Sequence, residues 1–441
     1  MKKYLALLFA LLTGLALTAS DLGPAVPVLQ EVPVLETTVQ TTPAPPVTTV
    51  PVTTPAETTT VPAMETTPPV TSAPSVILSS SAEKAGLSDT VQAIFQKYEA
   101  VGLSVAVFQG QDILYAESFG YADVEKGIPA DTDTAYRIAS VSKAVTGILA
   151  MQLASEGRLD LDADISDYIG LNMRSPFFPD QKITARQLMT HTSGIVDSVK
   201  YEEITDGYVY PTLTELMSYG GMYTQNAPGT RYVYSNLAYG LLCAVIEGVT
   251  LERFYTYADR QLFTPLNMDA GFLRTQINVP DRIAQIYENR QLKARVKTWG
   301  RVEAAYDSIP IGQMYLLGYG DLFISAQDLA KFGIALARDG SYQGSALLPA
   351  EAAAEMNSLQ FQNNKVKRGL GLSIETNLVD GRTMYGHPGQ SYGMVSGLYY
   401  DPADHTGVAF ITNGCRVQKN GYGLYTITDE LVKAVYAALF P

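Results

Sequence analysis

A serine, a lysine one helical turn later and an apolar run behind them form the first place where this chain could do covalent chemistry. The residues are Ser140-Val141-Ser142-Lys143, followed by Ala144, Val145, Ile148, Leu149 and Met151. On a helix, positions i and i+3 share a face. A serine at a helix N-terminus also feels the positive end of the dipole. A lysine that burial keeps neutral can take the hydroxyl proton. Read alone, the same residues also suit an ordinary helix start. Ser81-Ala82-Glu83-Lys84 repeats the spacing at a linker edge, where no helix is expected to follow.

Two further groups could complete such a site. Tyr234-Ser235-Asn236 precedes the apolar residues Leu237, Tyr239, Leu241, Leu242, Val245 and Ile246. A phenol beside a cation can relay a proton, and an asparagine amide can hold a substrate carbonyl. Tyr287-Glu288-Asn289 has the same form inside a charged stretch. Gly386-His387-Pro388-Gly389-Gln390 reads as a strand edge where glycine allows close backbone approach. His405-Thr406-Gly407 competes with it, but falls in the turn after Asp401-Pro402. Gly389-Gln390-Ser391-Tyr392-Gly393 matches G-x-S-x-G, a nucleophile elbow that requires strand, turn and helix in that order. Here Met394–Tyr400 reads as a strand, which opposes the elbow.

These residues need elements to hold them. Ser88 reads as an N-cap before the stripe Val91, Ile94, Phe95 and Tyr98. Leu103–Phe108 and Ile113–Phe119 flank a turn at 109–112 and predict a β-hairpin. Thr184-Ala185-Arg186-Gln187 predicts a capping box. Gly369–Glu375, Met394–Tyr400 and Gly407–Thr412 read as strands, and Ile427–Phe440 as an amphipathic helix. Strands at both ends with helices between them predict an α/β fold. Its antiparallel sheet is flanked by terminal helices, and a mostly helical lobe is inserted.

The ordered set resembles a known family. Ser-x-x-Lys at 140, Tyr-Ser-Asn at 234 and His-x-Gly at 387 are similar to the motifs of the β-lactamase-related serine hydrolases. That family includes class C β-lactamases, D-alanyl-D-alanine carboxypeptidases and related esterases and peptidases. Leu188-Met189-Thr190-His191-Thr192-Ser193-Gly194-Ile195 is similar to its LLTHTSGL stretch. The segments 157–162, 265–268 and 322–330 also look familial, and the likeness runs from about residue 85 to 440. The resemblance implies Ser140 as nucleophile, Lys143 as its base and Tyr234 as the proton relay to the leaving group. It implies Asn236, His387, Gly389 and Gln390 as substrate-binding residues, with the N–H groups of Ser140 and Gln390 as oxyanion hole. It marks His191 as a structural, hydrogen-bonding residue. Where many members carry Lys-Thr-Gly, this chain has His387-Pro388-Gly389, which lacks a fixed positive charge and a hydroxyl. Efficient β-lactam hydrolysis and strict carboxypeptidase action are therefore in question, while esterase, amidase or D-amino-acid peptidase action stays open. The alternative is a penicillin-binding or cell-wall-binding module of the same fold that acylates without turnover.

Composition narrows the rest. Of 441 residues, 44 are acidic and 31 basic, giving −13. That balance opposes nucleic-acid binding, which needs clustered Lys and Arg. Two cysteines exclude a disulfide scaffold and a four-cysteine zinc site. Three histidines oppose a histidine-rich metal centre, so no metal or cofactor is expected. Cys243 and Cys415 read as two buried thiols, with one disulfide as the alternative. Residues 1–20 read as a signal peptide, either cleaved or kept as a membrane tether. No cysteine near residue 20 allows lipid attachment. Residues 21–80 hold 12 prolines, 14 threonines and one glycine, and read as a disordered linker. Residues 81–441, with 29 basic and 39 acidic side chains, form the hydrolase domain. The expected location is secreted or cell-surface. The expected partner is a small-molecule or peptide substrate, with peptidoglycan as one candidate. Trp299 and the tyrosines around Tyr201–Tyr223 are expected to pack in the core or to cover loops, with lining of the cleft as the alternative.

Overall fold

A computed structural model describes residues 81–440 apart from 207–209, 295–302 and 304–305. The expected signal peptide and linker, and Trp299, lie outside the described residues. Gly102–Gln109 (β1) and Asp112–Asp123 (β2) pair as the expected hairpin, followed by Ile128–Pro129 (β3). The remaining strands of the main sheet come after residue 360. They are Phe361–Gln362 (β4), Lys367–Arg368 (β5), Ser373–Glu375 (β6), Met384–Ser391 (β7), Met394–Asp401 (β8) and Thr406–Thr412 (β9). The nine strands run in the order β4-β5-β6-β7-β8-β9-β1-β2-β3, and every pairing is antiparallel.

Both faces of this sheet are covered, and the strands alternate to suit. Val105 and Val107, with Tyr399, Val408 and Phe410, pack under Ser81–Lys97 (α1) and Thr426–Leu439 (α6). Ala106 and Phe108, with Leu398, Ala409 and Ile411, face the opposite core. Successive side chains on a strand point to opposite faces, so one hairpin serves two cores. The second core holds Ala326–Ala337 (α5) and the lobe between β3 and β4, which is mostly helical. Within that lobe, Ser142–Ser155 (α2) and Asn236–Thr250 (α4) are buried nearly all round. Such helices are apolar on every side because protein surrounds them. The short helix Ala185–Met189 (α3) starts at Thr184, whose side chain and that of Gln187 form the expected capping box.

Three local expectations change. Ser88 lies inside α1 rather than capping it, because the helix begins at Ser81. Ser81-x-x-Lys84 therefore does open a helix. The strand expected over Gly369–Glu375 is interrupted: Gly369–Leu372 form no strand between β5 and β6. Among the described residues both cysteines are free thiols, Cys243 buried and Cys415 partly buried.

Candidate active site

Ser140 lies in a single 3-10 turn, Ala139–Val141, directly before α2. Ala139 has φ +46°, a left-handed conformation that non-glycine residues rarely adopt. Ser142 ties this turn to its surroundings: its Oγ donates to the Ala139 carbonyl at 2.7 Å and accepts from the Leu322 N–H at 3.2 Å. The turn therefore fixes the start of the helix and aims Ser140 into a cleft of about 700 Å³.

Ser140 Oγ sits between two hydrogen-bond partners. Lys143 Nζ is 3.1 Å away and the Tyr234 hydroxyl is 2.7 Å away. Lys143 is fully buried. Its Nζ also reaches Asn236 Oδ1 at 2.8 Å and the Tyr319 carbonyl at 2.6 Å. An amide oxygen and a carbonyl can only accept. A neutral Lys143 must spend both its N–H groups on them, which leaves its lone pair for the Ser140 hydroxyl proton. Burial drives this neutralisation and pushes the lysine down to about 7. Arg137 adds to the effect, while Asp197 and Asp321 act against it. Tyr234 is 38% exposed along the cleft, yet its surroundings desolvate the phenol and push it up to about 12. The resting tyrosine is thus a protonated donor.

Asp197 is the positioning residue that the sequence did not reveal. Its Oδ1 accepts from Ser235 Oγ at 2.8 Å and from the Leu237 N–H at 2.9 Å. Its Oδ2 accepts from the Asn236 N–H at 2.9 Å. Ser235 Oγ accepts in turn from the Ala238 N–H at 3.1 Å. Orphan N–H groups at a helix start need such acceptors, and a carboxylate there also complements the dipole. Asp197 so fixes the first turn of α4 and, with it, Tyr234 and Asn236. His191 supports the same corner, as its resemblance-based role implies. It is buried, its Nδ1 accepts from the Ser235 N–H at 3.2 Å, and its ring lies 4.4 Å from that of Tyr234. Burial holds its pKa well below the ordinary value.

The facing wall is β7. His387, Pro388, Gln390 and Ser391 line the cleft with Ser140, Tyr234 and Asn236. Burial first, then the charges of Lys143 and Arg368, push His387 down to about 3, so it is neutral at pH 7. Gly389 contributes by lacking a side chain rather than by lining the cleft. A Cβ there would lie 2.4 Å from the Ile138 carbonyl and 2.2 Å from Ser396 Oγ. Only glycine lets β7 rest on the turn that carries Ser140.

The competing motifs separate cleanly. Ser391 ends β7 and is followed by a turn into β8, not by a helix, and its Oγ accepts from Arg137. Tyr287 is buried away from the cleft, donating to Glu125. His405 lies against the Ala337 carbonyl in the turn before β9. Among the described residues the cleft tyrosines are Tyr234, Tyr319, Tyr422 and Tyr425, and none of those described in Tyr201–Tyr223 lines it. Within that span Tyr201 is buried in the core.

A hydroxyl, a depressed lysine and a phenol in mutual contact beside a close-packed strand edge, on this sheet-and-lobe architecture, define a β-lactamase/transpeptidase-like fold. A sequence model of the beta-lactamase family matches residues 87–426, and the chain belongs to that family, whose members are serine hydrolases. It is 31% identical to Protein flp of Staphylococcus aureus (strain N315) over 173 residues, 39% of this chain and 35% of that protein. Penicillin-binding protein 4* of Bacillus subtilis (strain 168) is 27% identical over 201 residues, 45% of this chain and 43% of that protein. The chain thus spans about a third to under half of these relatives' lengths. Among solved structures, a class C beta-lactamase superposes with TM-score 0.65 at 19% identity, covering 82% of this chain and 97% of the other. The D-amino acid amidase from Ochrobactrum anthropi SV3 gives TM-score 0.60 at 21% identity, with 80% and 99% covered.

Proposed function

We propose that this protein is an exported serine hydrolase that cleaves an amide or ester through an acyl-enzyme, with a D-amino-acid peptide or a small ester as substrate. The observation that carries the reading is Ser140 Oγ held at 3.1 Å from Lys143 Nζ and 2.7 Å from the Tyr234 hydroxyl. Neutral Lys143 takes the Ser140 proton as Oγ bonds to the substrate carbonyl carbon. The N–H groups of Ser140 and Gln390 stabilise the oxyanion. Tyr234 gives its proton to the departing amine or alcohol and regains one from Lys143. Water then attacks the acyl-enzyme, restoring the Ser140 hydroxyl and releasing the acid. Asn236 Oδ1 is engaged by Lys143, so its NH₂ is the group left to hold the acyl-side amide. His387, neutral and buried, shapes the facing wall without adding charge. Residues 1–20 and 21–80 support export and tethering, which would put peptidoglycan peptides within reach.

The test is intact mass after exposure to a fluorophosphonate and to a penicillin, with product release followed in parallel. Ser140→Ala should abolish labelling and Ser391→Ala should retain it. The reverse pattern would overturn the assignment. One round of acylation without further product would point instead to a penicillin-binding or wall-binding module.

A further inference from the structure

The cleft carries an excess of cations on a chain that is acidic as a whole. Five basic residues line it, Arg137, Lys365, Lys367, Arg368 and Lys419, against the single carboxylate Glu375. Arg137 is neutralised by Asp321 at 2.8 Å. The other four lie within ion-pair distance of no carboxylate among the described residues. Burial pushes the Glu375 carboxyl up, against the pull of Arg368.

These four sit on two walls. Lys365, Lys367 and Arg368 belong to the β4–β5 hairpin, where the two lysines are exposed. Arg368 is the anchored member. Its Nη2 donates to the Tyr232 hydroxyl at 2.7 Å and its guanidinium lies 4.8 Å from the Tyr232 ring centroid. Its Nη1 donates to Ser373, and its buried Nε has no partner among the described residues. Lys419, in the segment between β9 and α6, is exposed and lies 4.8 Å from the Tyr425 ring. Like charges gathered in a cleft repel one another, and a cleft focuses their field onto whatever enters. Residues 81–441 hold 39 carboxylates, and none of the described ones pairs with these four cations, which favours an anionic occupant.

We infer that the cleft selects a substrate bearing carboxylates away from the reacting bond, held by Lys365, Lys367 and Arg368 on one wall and Lys419 on the other. The inference deepens the hydrolase reading and rests on it for the position of the reacting carbonyl. It also supplies the positive charge that His387 does not.

Two fluorophosphonate probes, identical except for a carboxylate or a trimethylammonium terminus, test it on the full chain. The readout is the ratio of their labelling rates within one protein, which a folding defect cannot mimic. The carboxylate probe should label about tenfold faster at low ionic strength, and the ratio should fall towards unity at about 1 M salt. The triple variant Lys365→Glu/Lys367→Glu/Lys419→Glu should invert it. A ratio near unity in the native protein, or one unchanged by the triple reversal, overturns the inference. If peptide mapping places the label elsewhere than Ser140, the nucleophile assignment fails on its own. The walls are then judged by binding of unreactive tri-D-glutamate to the Ser140→Ala protein. About tenfold weaker binding in the charge-reversed background supports them, and equal affinity overturns them.

Discussion

Lys143 can act as a base only in molecules where its amine carries no proton. Burial pushes its pKa down to about 7, so the ammonium predominates below that pH and the amine above it. Fluorophosphonate labelling should therefore rise as pH passes through about 7 and level off on the alkaline side. Lys143→Arg keeps the charge but cannot deprotonate. It should slow labelling at least about a hundredfold and erase the neutral-pH rise. Asp197 favours the ammonium. Replacing it by asparagine removes that pull, so the midpoint of the profile should move to lower pH. A midpoint that stayed put, or moved upward, would remove Asp197 from the electrostatics of the site.

The elements meet at one contact, β7 against the turn 139–141. A Cβ at Gly389 would lie 2.4 Å from the Ile138 carbonyl, and Ser396 Oγ on β8 donates to that same carbonyl at 2.7 Å. Gly389→Ala must push the strand off the turn, at about 1–3 kcal/mol for such overpacking. Melting temperature should fall, and labelling should fall further than stability accounts for, because Ser140 moves relative to β7. Normal labelling with an unchanged melt would show that the close approach is not needed.

Several of these elements could be read in the sequence because their cues are local. The hairpin alternates residue by residue, and Thr184 and Gln187 are three apart. Ser140 and Lys143 share one turn, and Tyr234 and Asn236 precede the apolar helix that they open. What escaped is set by distance along the chain. Asp197 acts on groups 38 to 40 residues away. The Tyr319 carbonyl that orients Lys143 is backbone, which any residue provides. Arg137 finds Asp321 184 positions on. The start of α1 differs because the apolar stripe read from the sequence begins only at Val91, while the helix begins at Ser81.

Taken as a whole, the domain is closed by its own ends. β1 pairs with β9, and α1 packs on α6. Leu431, Val432, Val435 and Tyr436 of α6 are all buried, and each contributes about 1.5–3 kcal/mol by its burial. Together they approach the entire stability of a typical domain, about 5–15 kcal/mol. Deleting residues 427–441 should therefore unfold the protein. Deleting residues 1–80, of which 21–80 have a composition that suits no core, should leave one cooperative melt and full labelling. Calorimetry of the two truncations separates them, and an intact fold without α6 would contradict this closure.

The pairing of β1 with β9 has a consequence in time. Leu103 waits for Thr412, 309 positions on, and Ile138 for Ser396, 258 positions on. Contacts so distant along the chain form late and slowly. A chain emerging from the ribosome holds Ser140 and Lys143 long before it holds the strand that completes their cleft. A nascent or prematurely ended chain then lacks that cleft, which is complete only once synthesis has passed the last strand of the sheet.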